Sequence, residues 1–473
     1  MLKRAVNFVI RASGDLLGLV GVLLLGVCAV AFLALLGVQL TSGALSPYFG
    51  IVTYMALPAG FLTGLVLLIV SRWRVRRALS HGRPVPWQLD LANPTHRERL
   101  GAFAVVAVVS VIVLALSTYH GVHYMDSTAF CGQVCHTVME PEFTAYQNSP
   151  HARVSCTDCH IGPGASWFVK SKLSGSRQVL AVALGNYPKP VPAPIDNLRP
   201  ARETCEQCHW PEKFHGDRMK IHSRFQEDEA NTELKTVLVL KVGGGSLESG
   251  FAAGIHWHMN LANHIDYRAS PDRAKIYWIR VEDLQGNVRE YWKEEGLKRE
   301  EIAQLPMRRM DCMDCHNRPT HEFDRPEFAL DAALQTQQIS PDLPYVKREG
   351  LRLLKVAHAT KEEGLSSFEP GLLAFYERDY PEIASSRRAD IQRAAAALQA
   401  IYGRNIFPAM NVTWNTYPNH IGHQDDGGCY RCHDEAHRTD AGVTISQDCS
   451  TCHALVALEE KDPEALKVLL GQQ

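Results

Sequence analysis

The sequence has no excess of charge of either sign: 49 lysines and arginines stand against 51 aspartates and glutamates, a formal net charge of -2. Nothing in that balance supports a nucleic-acid-binding protein. It has almost no unpaired cysteine either, because twelve of the 13 fall into six close pairs and only Cys28 stands alone. Cys28 lies in an apolar run, where a thiol serves as a small buried hydrophobe. Charge is missing altogether from residues 16 to 40. The run has no cleavage site of the kind that ends a signal peptide, is longer than a signal-peptide core and is followed by a second apolar run, so it is read as retained.

What is present is sharper. Each cysteine pair is followed at once by histidine: Cys131, Cys135 and His136; Cys156, Cys159 and His160; Cys205, Cys208 and His209; Cys312, Cys315 and His316; Cys429, Cys432 and His433; Cys449, Cys452 and His453. Neither a disulfide framework nor a zinc site needs that histidine, whereas CxxCH is the attachment signature of c-type haem. Two nearby thiols bond the vinyl groups and the adjacent imidazole turns onto the iron. Six covalently bound haems are therefore expected, numbered 1 to 6 along the chain. None of the motifs carries lysine in place of its histidine, a substitution associated with the catalytic haem of some multihaem nitrite reductases.

Residues 16 to 40, 51 to 70 and 101 to 117 are apolar enough to be membrane spans, since a crossing helix needs about 20 apolar residues at 1.5 Å each. Lys3, Arg4 and Arg11 precede the first run, and Arg72, Arg74, Arg76, Arg77, Arg83, Arg97 and Arg99 lie between the second and third. The positive-inside rule places these basic segments in the cytoplasm. Three crossings then deliver everything after about residue 118 to the periplasmic face of a bacterial inner membrane, where c-type haems are attached. Taking the ten basic and three acidic residues of 1 to 118 from the 49 and 51 leaves 39 basic against 48 acidic outside.

The expected fold is mainly α and irregular, a multihaem cytochrome c with three N-terminal transmembrane helices and a small β insertion. Four segments follow: an anchor over 1–118, a part with haems 1 to 3 over 119–225, a β-containing insertion over 226–310, and a part with haems 4 to 6 over 311–473. Strands are expected at Leu234 to Val242 and on either side of a turn within Ile276 to Trp292. Ser385 to Gly403 has the 3.6 periodicity of a packing helix. Elsewhere regular structure should be sparse, with haem surfaces standing in for a side-chain core.

Each iron needs a second axial ligand, and bis-histidine ligation gives low-spin iron suited to electron transfer. His81 and His96 lie in the cytoplasmic loop, which leaves thirteen non-motif histidines outside. The candidates are His151, His256, His258, His321, His420 or His423, and His437. His120 and His123 read as headgroup-level residues or as ligands near the bilayer; His215, His222, His264 and His358 stay in reserve.

From the third apolar run through FCGQVCHTVMEPEF and SPHARVSCTDCHIGPGASWFVKSKLSG, the chain resembles the NapC/NirT family of membrane-anchored cytochromes. The C-terminal NHIGHQDDGGCYRCHDEAH is similar to larger relatives, the inner-membrane cytochromes of metal-reducing bacteria. The resemblance implies electron passage from menaquinol or ubiquinol to a periplasmic cytochrome or terminal reductase. It also implies a first haem near the membrane with Met139 as a ligand, and a quinol site at Lys170 or Lys172. Anchoring at the lipid surface is the plain reading of those lysines. The chain departs from the family in having three residues between Cys131 and Cys135, in the distance of Met139 from His136, and in three spans where one is usual. The alternatives to a quinol-fed relay are a reductase with one open haem, and a haem-bearing docking subunit of a respiratory complex.

Overall fold

The computed structural model describes residues 15–42, 57–82, 93–94, 97–98, 101, 105, 108, 119–121, 123–134, 136–162, 164–195, 198–214, 216–244, 254–260, 263–283, 285–423, 427–469 and 471. The chain divides into two compact units: residues 1–127 with 162–174, and residues 128–161 with 175–473.

In the first unit two apolar runs become helices α1 (Leu16–Ser42) and α2 (Leu57–Ser80). Among the described residues, Leu57–Ser80 is long and apolar enough to cross a membrane and Leu16–Phe32 is a shorter apolar stretch. The 24 residues of α2 span about 36 Å at 1.5 Å per residue. Beyond residues 101, 105 and 108, the third expected span lies outside the described residues. The two helices meet through small residues, as membrane helices do when no hydrophobic force favours large ones. A Cβ on Gly21 would lie 2.8 Å from the Gly64 carbonyl oxygen, and one on Gly64 would lie 2.9 Å from that of Gly21. Cys28 is buried and packs against Gly60. Asp15 caps α1 by accepting from Gly18 N at 2.8 Å, and the Ser71 hydroxyl donates to the same carboxylate.

The second unit is mostly helical and irregular, with two small antiparallel sheets. Strands β1 (Asp217–Phe225), β2 (Glu233–Lys241) and β7 (His453–Glu460) form one, in the order β1-β2-β7. Strands β3 (His264–Ala269), β4 (Ile276–Glu282), β5 (Val288–Trp292) and β6 (Met307–Arg309) form the other, in the order β5-β4-β3-β6. The expected strands appear as β2, β4 and β5. The first sheet also joins residues far apart in sequence, with Leu240 opposite His453 and Lys235 opposite Glu460.

Between motifs four and five the expectation of sparse regular structure is overturned. Helices α5 (Pro326–Gln335), α6 (Val346–Leu354), α7 (Lys361–Asp379) and α8 (Arg388–Asn405) enclose a side-chain core of their own. Leu330, Leu354, Phe368, Leu372, Ile391 and Leu398 are fully buried in it. Helix α8 buries the face its periodicity marks, but begins at Arg388 because Pro381–Ser386 forms a separate turn. The β1–β2 hairpin is tied to this core by Asn231, whose Nδ2 donates to the Pro341 and Leu343 carbonyls at 2.8 Å. Phe225 N and Lys347 Nζ both donate to Asp331 Oδ1, at 2.9 and 2.5 Å. Burial raises the Asp331 carboxyl and lowers the Lys347 ammonium, each offset by the other's charge.

Candidate functional site

All six motifs lie in the second unit. Motifs two, four and six begin a single helical turn at their first cysteine, motif five begins one a residue earlier at Gly428, and in motif three a turn ends at the first cysteine. Ser155 caps the second, accepting from Asp158 N while the Asp158 carboxylate accepts from Ser155 N, both at 3.2 Å. Asp311 and Asp448 cap the fourth and sixth by accepting from Met313 N and Ser450 N at 2.8 and 2.9 Å. These side chains satisfy donors that a helix start leaves open. The fifth motif is turned by Gly427 and Gly428 instead; Gly428 has φ +36°, and a Cβ there would lie 1.9 Å from the Gly422 carbonyl oxygen. The motif histidine then closes the turn: His209 N, His316 N and His433 N donate to the carbonyls of Cys205, Cys312 and Cys429 at 2.8, 2.8 and 3.0 Å.

The first motif differs. Phe130–Val134 forms a π turn, which absorbs one residue more than an α turn and so accommodates the third residue between the cysteines. Gly132 is required there, because a Cβ would lie 2.1 Å from the Phe143 ring. Helix α3 (His136–Gln147) starts at once after it, with Met139 half-buried. Cys135 and the His136 side chain lie outside the described residues.

Five motif histidines each face one non-motif histidine. Ring centroids are 6.1 Å apart for His160 and His321, 6.1 Å for His209 and His151, and 6.4 Å for His316 and His256. They are 5.9 Å apart for His433 and His258, and 6.2 Å for His453 and His423. A metal bonded to imidazole nitrogen at about 2.0 Å lies about 3.2 Å from the ring centroid, so two axial imidazoles on one iron stand about 6.4 Å apart. The pairs match that separation. Among the described residues no group of three or more histidines, cysteines or carboxylates converges as a metal site, so these histidines meet only in twos.

The outer nitrogens support the same fit. Nδ1 of His151, His256, His258 and His321 lies 3.2, 3.1, 2.8 and 2.9 Å from the carbonyls of Pro319, Val242, Ile255 and Glu142. Donation to a carbonyl leaves the Nε2 lone pair for a metal, the arrangement in which ligating histidines are held. Burial lowers the pKa of His160, His256, His258, His316 and His321, which favours the neutral, ligating form.

Not every candidate is brought to a motif. His437 has both ring nitrogens engaged, Nδ1 with Asp434 Oδ1 at 2.8 Å and Nε2 with the Ile276 carbonyl at 3.1 Å. It therefore ties the fifth motif to β4 and has no nitrogen left for iron. Of His420 and His423, the second faces a motif histidine; His420 is buried, with its backbone N donating to Asn317 at 2.9 Å. His120 and His123 pack on Tyr119, and His358 lies beside Tyr402. His215 lies outside the described residues, while His222 and His264 are strand residues. Lys170 and Lys172 lie on helix α4 (Ala165–Ala183); Lys172 pairs with Asp126 at 3.3 Å, and Lys170 lies 4.4 Å from the Trp167 ring centroid. Sequence reasoning missed Glu142 and Arg318, which stand behind His321 and lie outside the attachment motifs.

The cysteines also follow one another. The thiols of Cys131 and Cys156 are within hydrogen-bond reach, as are those of Cys205 and Cys312. Cys159 and Cys208, Cys315 and Cys429, and Cys429 and Cys452 are close enough to influence each other electrostatically.

Residues 93–191 match the N-terminal region of the NapC/NirT cytochrome c family. The chain is 42% identical to the cytochrome c-type protein ImcH of Geobacter sulfurreducens over 455 residues, 95% of this chain and 89% of that protein. Shorter matches include the cytochrome c nitrite reductase subunit NrfH of Nitratidesulfovibrio vulgaris, 30% identical over 22% of this chain and 64% of its own. The cytochrome c-type protein TorC of Escherichia coli is 32% identical over 19% of this chain and 24% of its own. No solved structure matches. The paired imidazoles and attachment motifs define a membrane-anchored multihaem c-type cytochrome that carries electrons. More particularly, the chain belongs to the NapC/NirT family of cytochromes c.

Proposed function

We propose that this chain is a hexahaem relay of the bacterial inner membrane, taking electrons from quinol at the outer membrane interface and passing them to a periplasmic cytochrome or terminal reductase. The observation that carries the relay reading is the facing of five motif histidines by five others. Two imidazoles on an iron leave it no open position, which suits electron transfer and not substrate binding. His321, His151, His256, His258 and His423 are accordingly the distal ligands of haems 2, 3, 4, 5 and 6, opposite His160, His209, His316, His433 and His453. For haem 1, Met139 lies on α3 three residues after His136, and the two are alternative ligands of that iron.

The proximity of successive cysteines supports an order in which each haem neighbours the next in sequence, from haem 1 to haem 6. Lys170 and Lys172, in the unit that holds the apolar helices, remain the proposed quinol-site residues, with Asp126 holding Lys172. Three spans, an N-terminus in the cytoplasm and a periplasmic haem region follow from the apolar runs and the placement of arginine. The four-part division at residues 118, 225 and 310 remains the proposed domain organisation.

Anaerobic mixing of the detergent-purified chain with a menaquinol analogue tests this reading, with haem absorbance followed and haem counted as pyridine haemochrome on the same sample. Six haems per chain and rapid reduction are expected. Six haems that stay oxidised with quinol yet reduce with dithionite would falsify quinol feeding and favour a docking subunit.

A further inference from the structure

Glu142 lies outside the attachment motifs, six residues after His136, yet it stands behind one of the paired histidines. His321 Nδ1 is 2.9 Å from the Glu142 backbone carbonyl and 3.2 Å from its carboxylate Oε2. The carboxylate is largely buried, with 13% of its side chain exposed, and is held by Arg318 Nη2 at 3.3 and 3.4 Å from its two oxygens. Arg318 is fixed in turn: its Nε donates to the His321 carbonyl at 2.7 Å and its guanidinium lies 4.0 Å from the Tyr417 ring centroid. The outer nitrogens of His151, His256 and His258 meet backbone carbonyls instead. Among the described residues, His321 is thus the paired non-motif histidine whose outer nitrogen meets a carboxylate.

A negative charge behind an axial imidazole makes that ligand more electron-rich. It also favours the oxidised iron, which carries one positive charge more than the reduced. Hydrogen bonding and charge in the outer shell are among the means by which a protein sets a haem's potential, and burial weakens the solvent screening that would mute this one. Glu142 sits on α3, the helix that starts at His136 of the first motif, so one helix carries a haem 1 ligand and the charge behind haem 2.

We propose that Glu142 is a positioning residue that holds His321 on the iron of haem 2 and lowers the reduction potential of that haem, with Arg318 moderating the effect. The proposal rests on the assignment of His321 as a haem 2 ligand. A potential set in this way would hold haem 2 more oxidised at a given quinol supply than the same haem without that charge.

The test is a redox titration of the full-length detergent-purified chain, followed by haem absorbance and by electron paramagnetic resonance at each potential. His321→Ala identifies haem 2 as the low-spin signal that is lost. If no low-spin signal is lost, the ligand assignment fails, and the proposal with it. In Glu142→Gln, which keeps the backbone carbonyl and a polar side chain, all low-spin signals should remain. The haem 2 reduction constant should rise about tenfold, equivalent to 59 mV for one electron. In Arg318→Gln the same transition should move the opposite way, and Glu142→Asp should stay near the unaltered protein. Loss of packing alone would move both charge-removing variants in one direction, so shifts of the same sign, or none in Glu142→Gln, overturn the proposal while leaving the ligand assignment intact. Should Glu142→Gln fail to load haem, an unchanged haem 2 potential in Arg318→Gln overturns it equally.

Discussion

His256 and His258 lie two residues apart on one 3-10 turn, Ile255–Met259, and face the histidines of different motifs, His316 and His433. On a 3-10 turn of about three residues, positions two apart point in different directions, which lets one turn reach two sites. His258→Ala should therefore convert one haem from low to high spin, and electron paramagnetic resonance should show the other low-spin signals unchanged. Gly428 makes a second demand at this scale. With φ +36° and the Gly422 carbonyl where a Cβ would sit, Gly428→Ala costs on the order of 1–3 kcal/mol of backbone strain in the turn that presents Cys429 and Cys432. The expected result is a haem content lower by about one per chain in a pyridine haemochrome count, that signature being the attachment point of one haem.

Between elements, the paired rings are set at different angles because the segments that carry them arrive from different directions. The planes of His256 and His316 are 2° apart and those of His423 and His453 22° apart, while His151 with His209 and His258 with His433 are 74° and 84° apart. Near-parallel axial imidazoles split the iron d-orbitals strongly, and near-perpendicular ones leave them close to degenerate. The oxidised protein should show two rhombic low-spin signals, assigned to haems 4 and 6, beside two strongly anisotropic ones from haems 3 and 5. Signals of one type throughout would refute these orientations.

The hairpin and the helical core are joined in a different way, through the Asp331–Lys347 pair at 2.5 Å with side-chain exposures of 7% and 3%. Asp331→Ala leaves the Lys347 charge buried and the Phe225 N–H without its partner, at a cost of about 3–5 kcal/mol. A lower thermal midpoint, read by circular dichroism, would report it. At this scale β2, β4 and β5 were legible because β-branched, aromatic and other apolar residues cluster there beside turn residues, and α8 because 3.6 periodicity runs through it. Helices α5 and α6 were not: each has only ten or nine residues, too few turns for the pattern to declare itself beside turn residues. Strand β7 was equally hidden, since its partner β2 lies more than two hundred residues earlier and propensity carries no information about a distant partner.

Across the whole molecule, the proximity of cysteines of successive motifs supports a single-file order, so an electron entering near haem 1 would cross every intermediate haem. If quinol is oxidised beside Lys172, Lys172→Ala should slow quinol-driven reduction about tenfold, a barrier increase of about 1.4 kcal/mol, and leave dithionite reduction unchanged. Equal slowing with both reductants would mean that the substitution damages the relay and not the quinol site.

Attachment chemistry was decided by the sequence alone, because two thiols and a histidine on five or six consecutive residues are a local requirement, readable without a fold. Apolar runs and the placement of arginine likewise mark the anchor, since a bilayer acts on segment composition. Only the tertiary structure decided which histidine faces which motif. His321 follows the fourth motif yet faces the second, His151 precedes the second yet faces the third, and His437, four residues after His433, turns away to β4. An axial partner is chosen by the two or so ångströms on either side of an iron, and that proximity arises from chain segments folded together, which spacing along the sequence does not record.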